Sequence, residues 1–195
     1  MDWKLDRSKF VVGVDDSSVL VQRPCLPATE EQIADYERKI GKPLPPDYRE
    51  FLSSTNGGCY DPNVEPYVYF DVKQPYAGSA ECADSCPEFR YLFTLDSSAS
   101  VELGSKDLFD LSINFDWYLT SDDEYPHRSL DFVPIGIHSG DNLLVMGIRG
   151  EHKGKVASYE RMEWRAEAPL EDVFHVANSF DEFLDSVYPI LLYAY

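Results

Sequence analysis

His138-Ser139-Gly140-Asp141 sets an imidazole, a hydroxyl and a carboxylate within four residues, the three groups of an acyl-transfer triad. Such a triad needs the base against the hydroxyl and the acid on the base's far side, a geometry that neighbours in a tight turn rarely reach. The plainer reading is a turn in which Asp141 accepts hydrogen bonds from backbone amides. His127, His152 and His175 stand apart, and the chain has no H-E-x-x-H, no G-x-S-x-G and no glycine-rich phosphate loop. Asp122-Asp123-Glu124 offers oxygen ligands for a divalent cation but lacks the spaced ligands and glycine of an EF-hand loop, so it reads as a solvated turn. Among Cys25, Cys59, Cys82 and Cys86 there is no C-x-x-C pair, and Cys82-x-x-x-Cys86 matches zinc spacing poorly. The four read as reduced thiols. No catalytic residue, cofactor or metal is expected.

Recognition is the chemistry that the residues favour. From Cys59 to His127 there are 14 acids against three bases (Lys73, Arg90 and Lys106), a net of −11 out of −18 for the whole chain. Between Asp107 and Pro126 no Lys or Arg occurs, while Phe109, Phe115, Trp117, Tyr118 and Tyr125 alternate with acids. Aromatics that fill pockets and carboxylates that pair with Arg or Lys suit the capture of a basic protein. The candidate partner-binding residues are Asp110, Asp116, Trp117, Tyr118, Asp122, Asp123 and Glu124. Pro66 to Asp71 alternates as a strand would, which puts Tyr67, Tyr69 and Asp71 on one face and adds them to the set. For any single residue the plainer alternative is a strand pair with its aromatics in the core and its acids solvated. For the segment as a whole we read an interface.

These residues need elements to position them. Thr29 is an N-cap with Gln32 in place for a capping box, and Ile33, Tyr36 and Ile40 share one helical face. Gly41 ends that helix, Pro43 and Pro45 force an extended stretch, and Pro46 opens a second helix with Tyr48, Phe51 and Leu52 on its apolar side. Asn56-Gly57-Gly58 supplies left-handed residues to end it. Upstream, Phe10 to Val14 and Val19 to Val21 flank a turn-like Asp15-Asp16-Ser17-Ser18 and predict a hairpin. Downstream, Phe132–Ile137, Leu143–Ile148 and Lys155–Tyr159, separated by turn residues, predict a β-meander. Residues 170–188 are expected to hold a closing helix, with a second capping box at Ser179 and Glu182 and an apolar stripe of Phe180, Phe183, Leu184 and Val187.

The motif over residues 29–58 resembles the opening of the SMI1/KNR4 family, or SUKH superfamily, through Glu37, Ile40, Gly41, Leu44, Pro45, Asp47, Tyr48, Phe51, Leu52, Asn56, Gly57 and Gly58. Val133-Pro134-Ile135-Gly136 with Gly140 to Leu144 resembles the family's central strand pair, and Ala177 to Leu184 its last helix; the three blocks stand in family order. The resemblance implies one α+β domain over residues 1–195, a mostly antiparallel β-sheet with packed helices. Residues 1–28 would be an N-terminal strand extension and residues 59–132 an acidic, insertion-like middle. It further implies a non-catalytic immunity protein that binds and neutralises a cognate bacterial toxin domain, often a nuclease. The alternative is a regulatory or scaffolding module of the fungal type, whose usual long extensions are missing here.

At 195 residues with 44% hydrophobic content, the chain is long enough for a substantial core. A charge of −18 argues against nucleic acid or an anionic membrane as direct partner and favours a basic protein. The first residues lack the apolar run of a signal peptide and Val187–Tyr195 is too short to span a bilayer, so a cytoplasmic protein is expected.

Overall fold

Thr29 caps the first helix as its spacing predicts. Its Oγ1 accepts from Gln32 N at 3.2 Å, and Gln32 Oε1 accepts from Thr29 N at 2.8 Å. Helix α1 (Glu30–Ile40) stops at Gly41, whose φ of 70° is left-handed, and α2 (Pro46–Ser54) starts at its proline. The structure, a computed structural model, describes residues 5–12, 23–60, 68–72, 74–75, 87–95, 110–120, 131–139, 142–159 and 173–189.

These residues also hold eleven short strands, two further α-helices and short 3-10 turns at Arg7–Lys9 and Gly150–His152. β1 (Phe10–Val12), β2 (Arg23–Pro24) and β3 (Cys59–Tyr60) form a three-stranded sheet in the order β2-β1-β3. A larger sheet of eight strands contains β4 (Val68–Tyr69), β5 (Gln74–Pro75), β6 (Glu88–Leu92), β7 (Phe132–His138), β8 (Leu143–Gly147), β9 (Val156–Tyr159), β10 (Val173–Ala177) and β11 (Tyr188–Pro189). Its order is β11-β4-β6-β7-β8-β9-β10-β5, and every pairing is antiparallel. The remaining helices are α3 (Leu111–Thr120) and α4 (Phe180–Ser186).

The meander β7-β8-β9 is the centre of the molecule. Every residue of these strands is buried except Ile137, which is half-buried. Continuous apolar runs of this kind belong to strands covered on both faces. Aromatic rings join the helices to one another and to this core: Tyr48 and Phe51 pack on Phe180 at 4.8 and 4.9 Å, and Phe183 packs on Phe70 and Phe89 at 5.5 and 5.9 Å.

Three readings need correction, and a fourth falls partly outside the described residues. The N-terminal strand pairs with Arg23–Pro24 (Val11↔Pro24, Val12↔Arg23), and Val19–Val21 lies outside the described residues. The closing segment begins with a strand, Val173–Ala177, before the helix, because β-branched and aromatic residues alternate there beside β9. The second capping box is only half formed. Ser179 Oγ accepts from Glu182 N at 3.0 Å, but Glu182 returns its carboxylate to Asn178 N and Nδ2. Most important, residues 111–120 are a helix, so the strand-pair alternative does not hold for this stretch. Asp110 Oδ1 accepts from Ile113 N at 2.9 Å as an N-cap, and Leu111, Phe115 and Tyr118 recur at helical spacing on the buried side.

Candidate protein-binding surface

The residues of the N-terminal family motif are consumed in holding the fold. Glu37 accepts from Leu44 N at 2.9 Å and pairs with Arg49 Nη1 at 3.0 Å, so it fastens the proline-rich bend between α1 and α2. Arg49 also pairs with Glu30. Asp47 reaches 133 residues along the chain: its Oδ2 accepts from Phe180 N at 2.7 Å and Asp181 N at 3.3 Å, which caps α4. Asn56, at φ 60°, donates from Nδ2 to Leu26 O at 2.9 Å and accepts at Oδ1 from Leu95 N at 2.8 Å. A Cβ on Gly57 would lie 2.4 Å from Phe93 O, and one on Gly58 would lie 2.5 Å from Cys25 Sγ. Only hydrogen fits where the backbone threads between β6 and β1.

The candidate binding residues separate into two groups and a remainder. Tyr67, Asp122, Asp123 and Glu124 lie outside the described residues. On α3, Tyr118 is 1% exposed and packs edge-on against Tyr159, so it is a core residue and no anchor for a partner. Asp110 is also buried and serves as the helix cap. Asp116 is exposed and holds Lys39 Nζ at 2.7 Å, a contact that joins α3 to α1 with help from Ser112 O. Trp117 is half-buried and rests on the core.

The second group sits at the β11 edge of the large sheet. Val68, Phe70 and Val72 turn inward, which leaves Tyr69 half-buried and Asp71 exposed on the opposite side. Register sets Tyr69 between Tyr188 and Glu88, so the three side chains share a face. Tyr188 OH donates to Asp71 Oδ1 at 2.7 Å. Two tyrosine rings therefore stand beside two carboxylates, a combination of ring face and charge chemically suited to an Arg or Lys side chain. Reading the sequence missed Tyr188 and Glu88; the alternation that flagged Tyr69 carried no signal about which strands lie beside it. This patch and the α3 group are not one site. Glu88 pairs with Tyr69 and Thr94 bridges to Asp110, and six residues of extended chain separate them, about 20 Å at ~3.3 Å each.

Within the sequence motif that holds catalytic residue types, His138 turns to a hydroxyl from another strand. His138 is 1% exposed, its Nε2 lies 2.8 Å from Ser158 Oγ on β9, and Phe70 packs edge-on against its ring. Ser139 is thus not its partner in that bond, and Asp141 lies outside the described residues. Cys25 Sγ donates to Gly57 O at 2.9 Å, and burial pushes the Cys59 thiol up to about 12. Among the described residues no group of three His, Cys, Asp or Glu could hold a metal ion, and no helix is long and apolar enough to cross a membrane.

An antiparallel sheet with packed helices, tied together by the acidic and glycine residues of one N-terminal motif, defines an α+β protein of the SMI1/KNR4 kind. The chain belongs to the SMI1 / KNR4 family (SUKH-1), whose model matches residues 27–186. At family level that membership supports a toxin-immunity-type protein. The chain is also similar to the SPbeta prophage-derived uncharacterized protein YokK of Bacillus subtilis (strain 168), with 28% identity over 167 residues that cover 82% of this chain and 74% of the relative.

Proposed function

We propose that this protein is a non-catalytic immunity protein that neutralises a cognate, basic toxin domain by covering its working surface. The observation that carries this reading is the patch of Tyr69, Tyr188, Asp71 and Glu88 on a chain of net charge −18. Its rings offer contact area at low entropic cost, and its carboxylates meet cations that a toxin acting on nucleic acid would hold out for phosphates. Family membership supports the same reading.

The test is calorimetric titration of the toxin-type domain encoded beside this gene at two salt concentrations. One-to-one binding that weakens as salt rises is the expected result. Absence of binding at both concentrations would refute the reading and return weight to a regulatory module.

A further inference from the structure

The register that brings Tyr69, Glu88 and Tyr188 together carries the same face further into the sheet. Phe89 opposes His138 while Tyr91 opposes Ile137, so β6 has two steps where β7 has one. This is a β-bulge, with Arg90 as the extra residue. Side chains alternate along β7, and Ile137 therefore turns away from the side taken by His138. His138 lies on the side of Phe70, Phe89 and Phe183, which pack together under α4. Ile137 and its partner Tyr91 thus point to the other side, the side of Tyr69, Glu88 and Tyr188. Without the bulge, Tyr91 would follow Phe89 inward.

All five side chains on this face are half-buried. One strand further, Leu143 pairs with Ile137 and is 0% exposed. Beyond it Tyr159, on the same face, packs against Tyr118 of α3. Helix α3 therefore covers the sheet there, and the open part of the face stops at Ile137.

The two ends of this face differ in chemistry. At the β11 end Asp71 and Glu88 stand beside two tyrosine rings. At the β7 end Tyr91 and Ile137 form an aromatic and β-branched pair, and neither β7 nor β8 contains Asp, Glu, Lys or Arg. Tyr91 comes three residues after Glu88, so the ends lie about 10 Å apart at ~3.3 Å per residue. Arg90 is exposed between them and opposes a second cation in the middle. The charges along the face are thus two acids and one base, on a chain of net charge −18.

We infer that this face takes one segment of a basic protein, with an Arg or Lys side chain against Asp71 and Glu88 and an apolar side chain against Tyr91 and Ile137. The inference rests on the immunity reading and deepens it by adding an apolar subsite beside the charged one. Half-buried apolar groups next to a charged rim are the composition of an interface core, where contact excludes water from the neighbouring ion pair.

The full chain, labelled at its isoleucine methyl groups, is titrated by NMR with the toxin-type domain encoded beside the gene. Calorimetry at two salt concentrations compares the unaltered chain with Ile137→Thr and Glu88→Gln, and a melting curve is taken of each. The Ile137 methyl signal is expected to shift or broaden on titration, while that of Ile33, 0% exposed on α1, stays in place. Ile137→Thr keeps the β-branched shape and should weaken binding about fivefold at both salt concentrations. Glu88→Gln should weaken it by a similar factor at low salt and by less at high salt. If calorimetry shows binding and the Ile137 signal does not respond, the apolar subsite is overturned while the immunity reading stands. If that signal responds to the chain's own concentration instead, the face joins two copies of this chain and the inference is likewise overturned. Absence of binding by the unaltered chain refutes the immunity reading, and the inference falls with it.

Discussion

Tyr36 and Tyr48 are fully buried, and neither hydroxyl has a hydrogen-bond partner among the described residues. Burial holds both phenols well above their ordinary value of 10.0, and for Tyr36 the neighbouring Tyr48, Asp110 and Asp116 add to it. An unpartnered buried hydroxyl costs about 1–3 kcal/mol. Tyr48→Phe is therefore expected to leave stability unchanged or raise it by about 1 kcal/mol, read from the denaturant midpoint; a loss larger than that would reveal a bonded partner. The same groups set the alkaline limit. In the unfolded chain the Cys59 thiol ionises near 9.0 and the phenols near 10.0, whereas in the folded chain all three keep their protons to higher pH. The unfolded state then binds fewer protons, so stability is full below about pH 9 and falls as pH rises beyond it. Unfolding curves taken across that range should show the fall, and Tyr36→Phe with Tyr48→Phe should reduce it. The burial of these tyrosines was legible from helical spacing, since each sits on the apolar side of its helix. Their lack of partners was not, because it depends on which side chains meet from different helices.

At the scale of elements, helix caps and proline breaks were readable because they act within a few residues. Thr29 with Gln32, Gly41 and Pro46 all behave locally. The link from Asp47 to the amides of Phe180 and Asp181 was hidden, since nothing near Asp47 records that α4 starts against it. Asp47→Ala is expected to cost about 1–2 kcal/mol. Hydrogen exchange should show faster opening of α4 together with α2, whereas exchange in β8 should follow the global change alone. Helix α3 was misread for a related reason. Its acids and aromatics suggested a surface, while the interval from Leu111 to Phe115 to Tyr118, with Asp110 as cap, was the better signal and pointed inward.

At the scale of the whole molecule, family and fold class were legible from three blocks of sequence in order, because those blocks encode the helix pair, the central strands and the last helix. The candidate surface was less so. The candidate patch of Tyr69, Asp71, Glu88 and Tyr188 draws on β4, β6 and β11 and the residue after β4, and only folding sets those strands side by side. Long-range charge is simpler to anticipate: with −18 on 195 residues, the association rate with a basic partner should drop steeply as ionic strength rises, while the dissociation rate changes little, as stopped-flow mixing would show. The order of the large sheet bears on a different question, how the protein survives while unbound. Its outermost described strands are two residues each, and both end in proline, Pro189 in β11 and Pro75 in β5. Proline lacks the amide that would recruit another strand, and short edges template poorly. On the immunity reading proposed above, the chain meets other copies of itself whenever its target is absent. Blunt edges let it wait without copying its own sheet into fibrils. Pro189→Val should remove that safeguard at one edge and appear as concentration-dependent oligomers in light scattering, with the fold otherwise intact.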